Sequence, residues 1–295
     1  MKSAPFDYHR PSDIDEACAI LAADGDARII AGGQSLVPMM AMRLVRPTQL
    51  VDIGRIPSLS YVRAHAGMIA IGATTRQCAV ERDALARAHV PLLCKALPWI
   101  GHAATRARGT IGGSLAHADP AAELVLVAIT LDAKLVYRAG GATTEISASD
   151  FFTGLMTTAL PSHGCLAAIH FPASDGGNVG VGFHEINARR SDFAFASAAA
   201  QIVLDDDETC RSLALGIGAV TEVPFRLDAV AARLQGRRIE ESTLRPAIRD
   251  ALGDVAPMSD LHASADYRRR AATTLAVRAV MDAAASARGG NPHAH

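Results

Sequence analysis

The sequence predicts an α+β protein of two units, the first mixing short strands with helices and the second pairing a β-hairpin with helices. The chain has 295 residues, 49% of them hydrophobic, which is enough to form two cores. The run Asp175-Gly176-Gly177-Asn178 is the strongest linker signal in the middle of the chain. We therefore predict domains over residues 1–175 and 178–287, followed by a flexible tail over 288–295.

The first unit begins with a helix and continues with strands and helices in turn. Ser12 is the predicted cap of this helix, because apolar residues after it recur at helical spacing, and Asp24-Gly25 ends it. Short apolar runs predict strands, whereas apolar residues three and four apart predict helices. The predicted strands cover residues 27–31, 49–53, 68–71 and 133–138, and the predicted helices cover residues 76–85, 92–103 and 120–131.

The second unit is predicted to contain a hairpin and three helices. Two apolar strands, 198–204 and 212–217, flank the acidic run Asp205-Asp206-Asp207-Glu208, a pattern typical of a hairpin turn. Four adjacent carboxylates are also able to bind a cation, so that alternative stays open beside a solvated turn. The predicted helices cover residues 227–234, 244–252 and 267–287.

Composition excludes several partners. A net charge of -1 with 20% charged residues gives too weak a field to gather nucleic acid or an anionic membrane surface. Charged residues or glycines interrupt every apolar run, so no membrane span is predicted. Acidic residues near the start, Asp13, Asp15 and Glu16, are unlike a secretory signal and favour a cytoplasmic protein.

The cysteines and histidines predict no metal site. The five cysteines are scattered without a Cys-x-x-Cys spacing, and their odd number argues against a closed set of disulfides. An iron–sulfur cluster needs four thiolates, and no histidine lies in a His-Glu-x-x-His motif. We therefore expect buried thiols and no metal ligands in this chain.

Two glycine pairs are the most informative feature. The segments Ala31-Gly32-Gly33-Gln34-Ser35 and Ile111-Gly112-Gly113-Ser114 lie about eighty residues apart, and each has two glycines before a hydroxyl side chain. Paired glycines let successive backbone N–H groups converge on an anion, and two such loops suit a pyrophosphate. A tight turn is the simpler explanation of either pair taken alone.

Other nucleotide motifs are absent from the sequence. Neither the Gly-x-Gly-x-x-Gly fingerprint nor the Walker loop occurs. Gly216-Ile217-Gly218 follows a predicted strand, but Glu222-Val223-Pro224 after it cannot open a good helix, so we interpret this glycine pair as a turn. The two Gly-Gly segments are therefore the candidate cofactor loops.

These segments resemble a known family. Ile30-Ala31-Gly32-Gly33-Gln34-Ser35-Leu36 and Arg108-Gly109-Thr110-Ile111-Gly112-Gly113-Ser114 are similar to the two FAD loops of the medium subunit of molybdenum hydroxylases, such as carbon monoxide dehydrogenase and xanthine dehydrogenase. The resemblance extends to Tyr8-His9-Arg10-Pro11, to Ile71-Gly72-Ala73-Thr74-Thr75 and to Arg189-Arg190-Ser191-Asp192-Phe193-Ala194. It therefore covers nearly the whole chain.

The resemblance implies a PCMH-type FAD-binding fold, in which two α/β lobes grip FAD, followed by a smaller C-terminal domain of antiparallel sheet and helices. It implies that the two loops bind the pyrophosphate, that Glu123 hydrogen-bonds the adenosine ribose and that Leu166 lies near the adenine. A first-turn acid at a helix start is the other explanation of Glu123. The implied FAD-binding residues are Ile30, Ala31, Gly32, Gly33, Gln34, Ser35, Leu36, Thr110, Ile111, Gly112, Gly113, Ser114, Glu123 and Leu166.

Two further positions bear on the flavin ring. Trp99-Ile100 falls where the family has an apolar contact to the ring, although a core helix explains the same residues. Family members often have a lysine just before the paired arginines, where this chain reads His184-Glu185-Ile186-Asn187-Ala188. A cation there stabilises reduced flavin, so the redox potential and the preferred oxidant are left open.

The resemblance also implies a function. FAD relays electrons from the [2Fe-2S] clusters of a small partner subunit to an external acceptor, while a large molybdopterin-binding partner oxidises the substrate. The expected assembly is a dimer of heterotrimers, and this chain is expected to contribute no catalytic residue. Two alternatives stay open: a stand-alone FAD oxidoreductase of the same fold, whose substrate binds directly at the flavin, and a structural subunit without FAD.

Overall fold

The computed structural model describes residues 2–174 and 177–289. The predicted boundary falls on Asp175 and Gly176, which lie outside the described residues, as do residues 290–295 of the predicted tail. The domain division therefore stays a prediction. The predicted α+β class is confirmed, because helices and mainly antiparallel strands are combined in three successive units: a first lobe, a second lobe and a C-terminal unit.

The first lobe is a parallel three-stranded sheet. Its elements are β1 (Asp7–His9), α1 (Ile14–Ala23), β2 (Arg28–Ile30), α2 (Leu36–Ala41) and β3 (Gln49–Asp52). Both β1 and β2 pair with β3 in parallel, and parallel neighbours require crossover connections, which the two helices supply. The apolar side of α1 and the inward residues of the sheet form a small core.

The first helix begins one residue later than predicted. Asp13, not Ser12, is the cap, because the Asp13 carboxylate accepts from the backbone N–H of Glu16 at 2.9 Å. The Glu16 carboxylate in turn accepts from the backbone N–H of Ser12 at 2.7 Å. The two bonds resemble a capping box, except that the carboxylate at the third helical position accepts from the residue before the cap and not from the cap itself.

The second lobe is a five-stranded antiparallel sheet covered by helices. The elements are β4 (Val62–His65), β5 (Met68–Gly72), α3 (Gln77–Arg82), α4 (Ala84–His89), α5 (Pro91–Ala96), α6 (Ala103–Arg108), α7 (Ile111–His117), α8 (Glu123–Thr130), β6 (Lys134–Ala139), β7 (Ala142–Ser147), α9 (Ala148–Phe151), β8 (Phe152–Gly154), β9 (Thr157–Thr158) and β10 (Cys165–Pro172). The strand order in the five-stranded sheet is β4-β5-β10-β6-β7.

Two helices predicted in this lobe are interrupted. Asp83 divides the first into α3 and α4, because its backbone is extended and its carboxylate accepts from the N–H of Ala86 at 2.9 Å. A 3-10 turn at Leu97–Trp99, containing Pro98, ends the second before α6 begins. Proline lacks the N–H that a continued helix needs. The helix predicted from Pro120 begins only at Glu123.

The C-terminal unit has a four-stranded antiparallel sheet and three helices. Its elements are β11 (Asn178–Ile186), β12 (Ala196–Leu204), β13 (Cys210–Gly218), β14 (Phe225–Arg226), α10 (Asp228–Leu234), α11 (Glu241–Gly253) and α12 (Ala265–Ala287). The predicted hairpin is confirmed as β12 and β13, and the three predicted helices are confirmed. At the acidic tip, Asp205 pairs with Arg211 at 2.7 Å and Glu208 with Arg288 at 3.4 Å.

Glycines allow helices to lie directly against this sheet. A Cβ at Gly180 or Gly182 would come within 2.0 Å of an α12 backbone carbonyl, so only glycine fits beneath the helix. On β13, a Cβ at Gly216 would lie 2.0 Å from the Thr130 hydroxyl oxygen of α8. Gly216-Ile217-Gly218 is therefore not the predicted turn but the last three residues of a strand that contacts a helix closely.

All five cysteines are free thiols. Cys18, Cys165 and Cys210 are buried, whereas Cys78 and Cys94 are half-buried. Burial raises the pKa of the Cys165 thiol to about 12, which keeps it protonated and unreactive. No helix in the described part of the chain is long and apolar enough to cross a membrane.

Candidate functional site

A cavity of about 720 Å³ lies where the three units meet. Its wall combines the end of β2 and the start of α2, the first turns of α7 and α8, and a loop of the C-terminal unit. The volume falls within the roughly 300–1,000 Å³ typical of cofactor and ligand pockets. Every site residue implied by the resemblance lines it except Ile111, which is fully buried in the core of the second lobe.

The first glycine pair forms a chain of available donors. Gly33 has a left-handed backbone with φ +69°, which turns the chain sharply between β2 and α2. In the described part of the chain, no acceptor takes the N–H groups of Gly32, Gly33, Gln34 or Ser35. These four residues line the cavity, so successive amides are available to an anion there.

The second glycine pair is not the predicted loop. Gly112 and Gly113 lie in the first turn of α7, where the Thr110 hydroxyl accepts from the Gly113 N–H at 3.0 Å. The N–H of Gly112 donates to the Ala73 carbonyl at 2.9 Å and that of Ile111 to the Thr75 carbonyl at 3.0 Å. This segment therefore lacks a second set of available amides, and the Ser114 side chain is the hydroxyl group that it adds to the cavity wall.

The structure brings the two glycine segments into contact. A Cβ on Gly32 would lie 2.4 Å from the carbonyl oxygen of Arg108 and 3.0 Å from the Cα of Gly109. The Arg76 guanidinium donates to the same Arg108 carbonyl and holds the second segment in place. Gly32 is thus needed for close approach of two backbones rather than for its torsion angles.

Gly112 serves a similar packing role. A Cβ there would lie 2.5 Å from the Cβ of Ala73 and 2.7 Å from its carbonyl oxygen. The α7 helix can therefore lie directly against the chain that follows β5, which puts its first turn on the cavity wall.

One carboxyl group on the cavity wall, that of Glu123, repels a second carboxyl group, that of Glu185, which does not itself line the cavity. Glu123 begins α8 and lines the cavity, and burial raises the pKa of its carboxyl to about 7. Glu185, near the end of β11, was not predicted as a site residue. Burial, and then repulsion by Glu123, raise the pKa of the Glu185 carboxyl to about 8. Its Oε1 accepts from the Asn187 amide at 2.9 Å, whereas its Oε2 is buried without a partner among the described residues.

The C-terminal unit closes one side of the cavity with a segment that shares the family resemblance but was not predicted to belong to the site. Ser191, Asp192 and Phe193 line the cavity, and Phe193 is 72% exposed. The Ser191 hydroxyl donates to the Gly101 carbonyl of the second lobe at 3.0 Å. Ser191 adopts this position with a left-handed backbone, φ +76°.

Of the predicted apolar pair Trp99-Ile100, one residue lies at the site and the other in the core. Ile100 lines the cavity, whereas Trp99 packs against Phe183 of the C-terminal unit, with ring centroids 5.8 Å apart. Leu166, on β10, lines the cavity as the resemblance implies. The wall thus offers an amide cradle for a phosphate group and apolar surfaces for planar rings, which fits a dinucleotide such as FAD.

Comparisons with known proteins agree with this geometry. The family model for the FAD binding domain in molybdopterin dehydrogenase matches residues 4–174, and that for the CO dehydrogenase flavoprotein C-terminal domain matches residues 182–283. The chain is 33% identical to the 6-hydroxypseudooxynicotine dehydrogenase complex subunit alpha of Paenarthrobacter nicotinovorans, covering 98% of this chain and 97% of that protein. It is 31% identical to the carbon monoxide dehydrogenase medium chain of Hydrogenophaga pseudoflava, and the match covers 93% of this chain and 96% of that protein.

Solved structures give the same result. The fold superposes on quinoline 2-oxidoreductase from Pseudomonas putida 86 with a TM-score of 0.92 and 35% identity, covering 97% of this chain and 99% of that one. Carbon monoxide dehydrogenase from Hydrogenophaga pseudoflava matches with a TM-score of 0.92 and 31% identity, and the match covers 97% of this chain and 99% of that one. The chain therefore belongs to the FAD-binding medium subunits of the molybdenum hydroxylase family and is an FAD-dependent oxidoreductase subunit.

Proposed function

We propose that this chain relays electrons through FAD from the [2Fe-2S] clusters of a small partner subunit to an external acceptor. A large molybdopterin-binding partner oxidises the substrate, and the three chains assemble as a dimer of heterotrimers. The observation that carries the proposal is the meeting of two distant glycine segments at one cavity with available amides. Its relatives support it, since they are named as medium chains or lettered subunits of complexes.

Within this proposal, different residues hold different parts of FAD. When bound, FAD supplies one- and two-electron chemistry. The amides of Gly32, Gly33, Gln34 and Ser35 bind the pyrophosphate, aided by the Ser114 hydroxyl. Ile30, Ala31 and Leu36 hold this turn between β2 and α2. Thr110, Gly112 and Gly113 support the second segment, Glu123 binds the ribose, and Leu166 borders the adenine. Ile111 acts from the core by anchoring α7.

The Glu185 position bears on the choice of acceptor. Glu185 interacts with Glu123, which lines the cavity. A Glu185 carboxyl that stays neutral adds no negative charge beside the cavity, whereas an ionised one disfavours anionic reduced flavin. Because the Glu185 pKa lies near neutrality, we propose that the flavin potential of this subunit varies with pH. The acceptor itself stays open among NAD, oxygen, a quinone and a protein carrier.

The test uses the chain co-expressed with the products of its adjacent open reading frames. FAD is measured by extraction and absorbance, and iron and molybdenum by elemental analysis. The complex is then mixed anaerobically with quinoline, nicotine, caffeine and carbon monoxide, the compounds that its relatives' names indicate. We expect one FAD per chain, and flavin bleaching by one of these compounds in the complex but not in the isolated chain.

Two results would contradict the proposal. A chain purified without flavin would be a structural subunit only. Bleaching of the isolated chain by an organic substrate would show direct chemistry at the flavin, as in a stand-alone oxidoreductase of the same fold.

A further inference from the structure

Exposed apolar side chains are concentrated on the first lobe. Nine large hydrophobic residues are exposed in the described part of the chain, and five of them belong to this small unit. They are Phe6, Tyr8, Val37, Met42 and Leu44, which we call the β1–α2 face. Contiguous exposed apolar surface on a soluble protein marks a site of interaction.

These residues lie close together. Phe6 and Tyr8 are two positions apart on the extended chain at β1, so their side chains leave the same side of it. Tyr8 and Val37 line one cleft of about 720 Å³. The Arg43 guanidinium donates to the Lys2 carbonyl at 3.3 Å, which holds the segment containing Met42 and Leu44 against the chain before β1.

Arginines surround the β1–α2 face. Arg55, Arg76 and Arg108 line the cleft, and Arg10 acts electrostatically on Tyr8. Arg43 and Arg46 belong to the same segment as Leu44. Among the residues that the structure describes, no carboxylate lies within 4.0 Å of these six guanidinium groups.

The nearby acids offset only part of this charge. Asp52 lines the same cleft, where its carboxylate accepts from the Tyr8 hydroxyl, and Asp7 is a single exposed acid on β1. The whole chain has a net charge of -1, so this concentration of positive charge is local. A partner that matches it must present carboxylates around an apolar centre.

The cleft also adjoins the FAD cavity. Both are lined by the segment from Ile30 to Gln34, which separates them. A partner seated on the β1–α2 face would therefore be separated from the proposed pyrophosphate site of the cofactor by little more than this turn. Of the proposed partners, the cluster-bearing subunit is the one that must come close to the flavin to pass electrons to it.

We propose that the β1–α2 face docks the small [2Fe-2S] partner through an acidic rim and an apolar centre on that partner. This inference rests on the proposed function and adds the surface and its chemistry. A second copy of this chain is disfavoured as occupant, because a symmetric contact would bring the two sets of arginines together. A nucleic acid would match the charge but would leave the five apolar side chains uncovered.

The first test compares two matched double variants in the co-expressed complex. Leu44→Asp with Arg46→Glu changes the β1–α2 face, whereas Leu261→Asp with Arg249→Glu makes the same changes on exposed residues of the C-terminal unit. We expect the first pair to weaken association of the small subunit by about tenfold or more at low salt, with a smaller difference from the wild type at higher salt. Flavin content and melting temperature should match the wild type. Wild-type association of the first variant would overturn the inference.

The second test places a photo-crosslinking benzoylphenylalanine at Leu44 in the same complex. We expect crosslinks to a peptide of the small subunit that is rich in Asp and Glu, identified by mass spectrometry. Crosslinks to the large subunit, to a second copy of this chain or to nucleic acid would overturn the docking surface, as would their absence. These failures differ from failure of the proposed function, which would show as a wild-type preparation without flavin or without an iron–sulfur partner.

Discussion

The carboxyl group of Glu185 lies close enough to that of Glu123 for the two to repel each other across the boundary between the C-terminal unit and the second lobe. The pKa of Glu185 rises from 4.5 to about 8, with burial as the larger cause. Such a group binds a proton in the folded protein that unfolding releases. The free energy of unfolding therefore falls as pH rises through the window from 4.5 to about 8.

We predict that Glu185→Gln removes much of this fall, because an amide cannot ionise. The difference in stability between variant and wild type should grow by about 2 kcal/mol from the acid to the alkaline end of the window. Urea unfolding of the apoprotein at a series of pH values measures it. Glu222→Gln, at an exposed position, should keep the wild-type pH dependence, and an unchanged slope in Glu185→Gln would refute the prediction.

Gly32→Ala should weaken FAD binding by at least about tenfold, because its new Cβ meets the Arg108 carbonyl and forces the two glycine segments apart. The dissociation constant is measured by quenching of flavin fluorescence. Gly253→Ala is the control, since a Cβ there meets nothing within 4 Å. Equal affinities for both variants would show that the segments can separate without loss of the cofactor.

Thr110→Val should destabilise the protein by about 1 kcal/mol, because the Gly113 N–H loses its acceptor at the start of α7. Thr110→Ser keeps a hydroxyl and should stay close to the wild type. Denaturant titrations of the three proteins make the comparison. If Thr110→Val and Thr110→Ser were equally stable, the hydroxyl cap would have no energetic role.

Ser191→Ala should loosen the contact between the C-terminal unit and the second lobe, because it removes the bond to the Gly101 carbonyl. We expect a loss of about 1 kcal/mol and stronger quenching of bound flavin by iodide. Ser191→Gly loses the same bond but relieves the left-handed backbone, so it should be more stable than Ser191→Ala by roughly 1 kcal/mol. Identical stability of the alanine and glycine variants would argue against strain at this residue.

Local patterns were sufficient to predict much of the fold. The hairpin of β12 and β13 and the helix α12 follow from alternation and helical spacing, which depend on near neighbours. Ser12 was misassigned because Asp13 beside it is an equally good cap, and only the bond to Glu16 distinguishes them. Gly216 was misassigned to a turn because the reason for a glycine at this position is close contact with a helix from another part of the chain, which the local sequence does not show.

The site shows the same division between local and long-range information. The glycine pairs are visible in the sequence, and the structure brings them together at one cavity. The hydrogen bond from the Gly112 N–H to the Ala73 carbonyl joins segments that are distant in the sequence, so the residues around Gly112 give no sign of it. Glu185 lies in the segment that lacks the lysine often found in the family, which the sequence shows. Its interaction with Glu123 depends on how the units pack, which the sequence does not show.

The contact of Gly180 and Gly182 with α12 has a consequence for biosynthesis. Strand β11 is made well before the helix that covers it, so this part of the sheet stays uncovered while roughly eighty further residues are translated. The first two lobes can already pack at that stage, because their strands and helices precede β11. Completion of the C-terminal unit must therefore await release of α12 from the ribosome, and nascent chains stalled before that helix should be the most susceptible to chaperone capture.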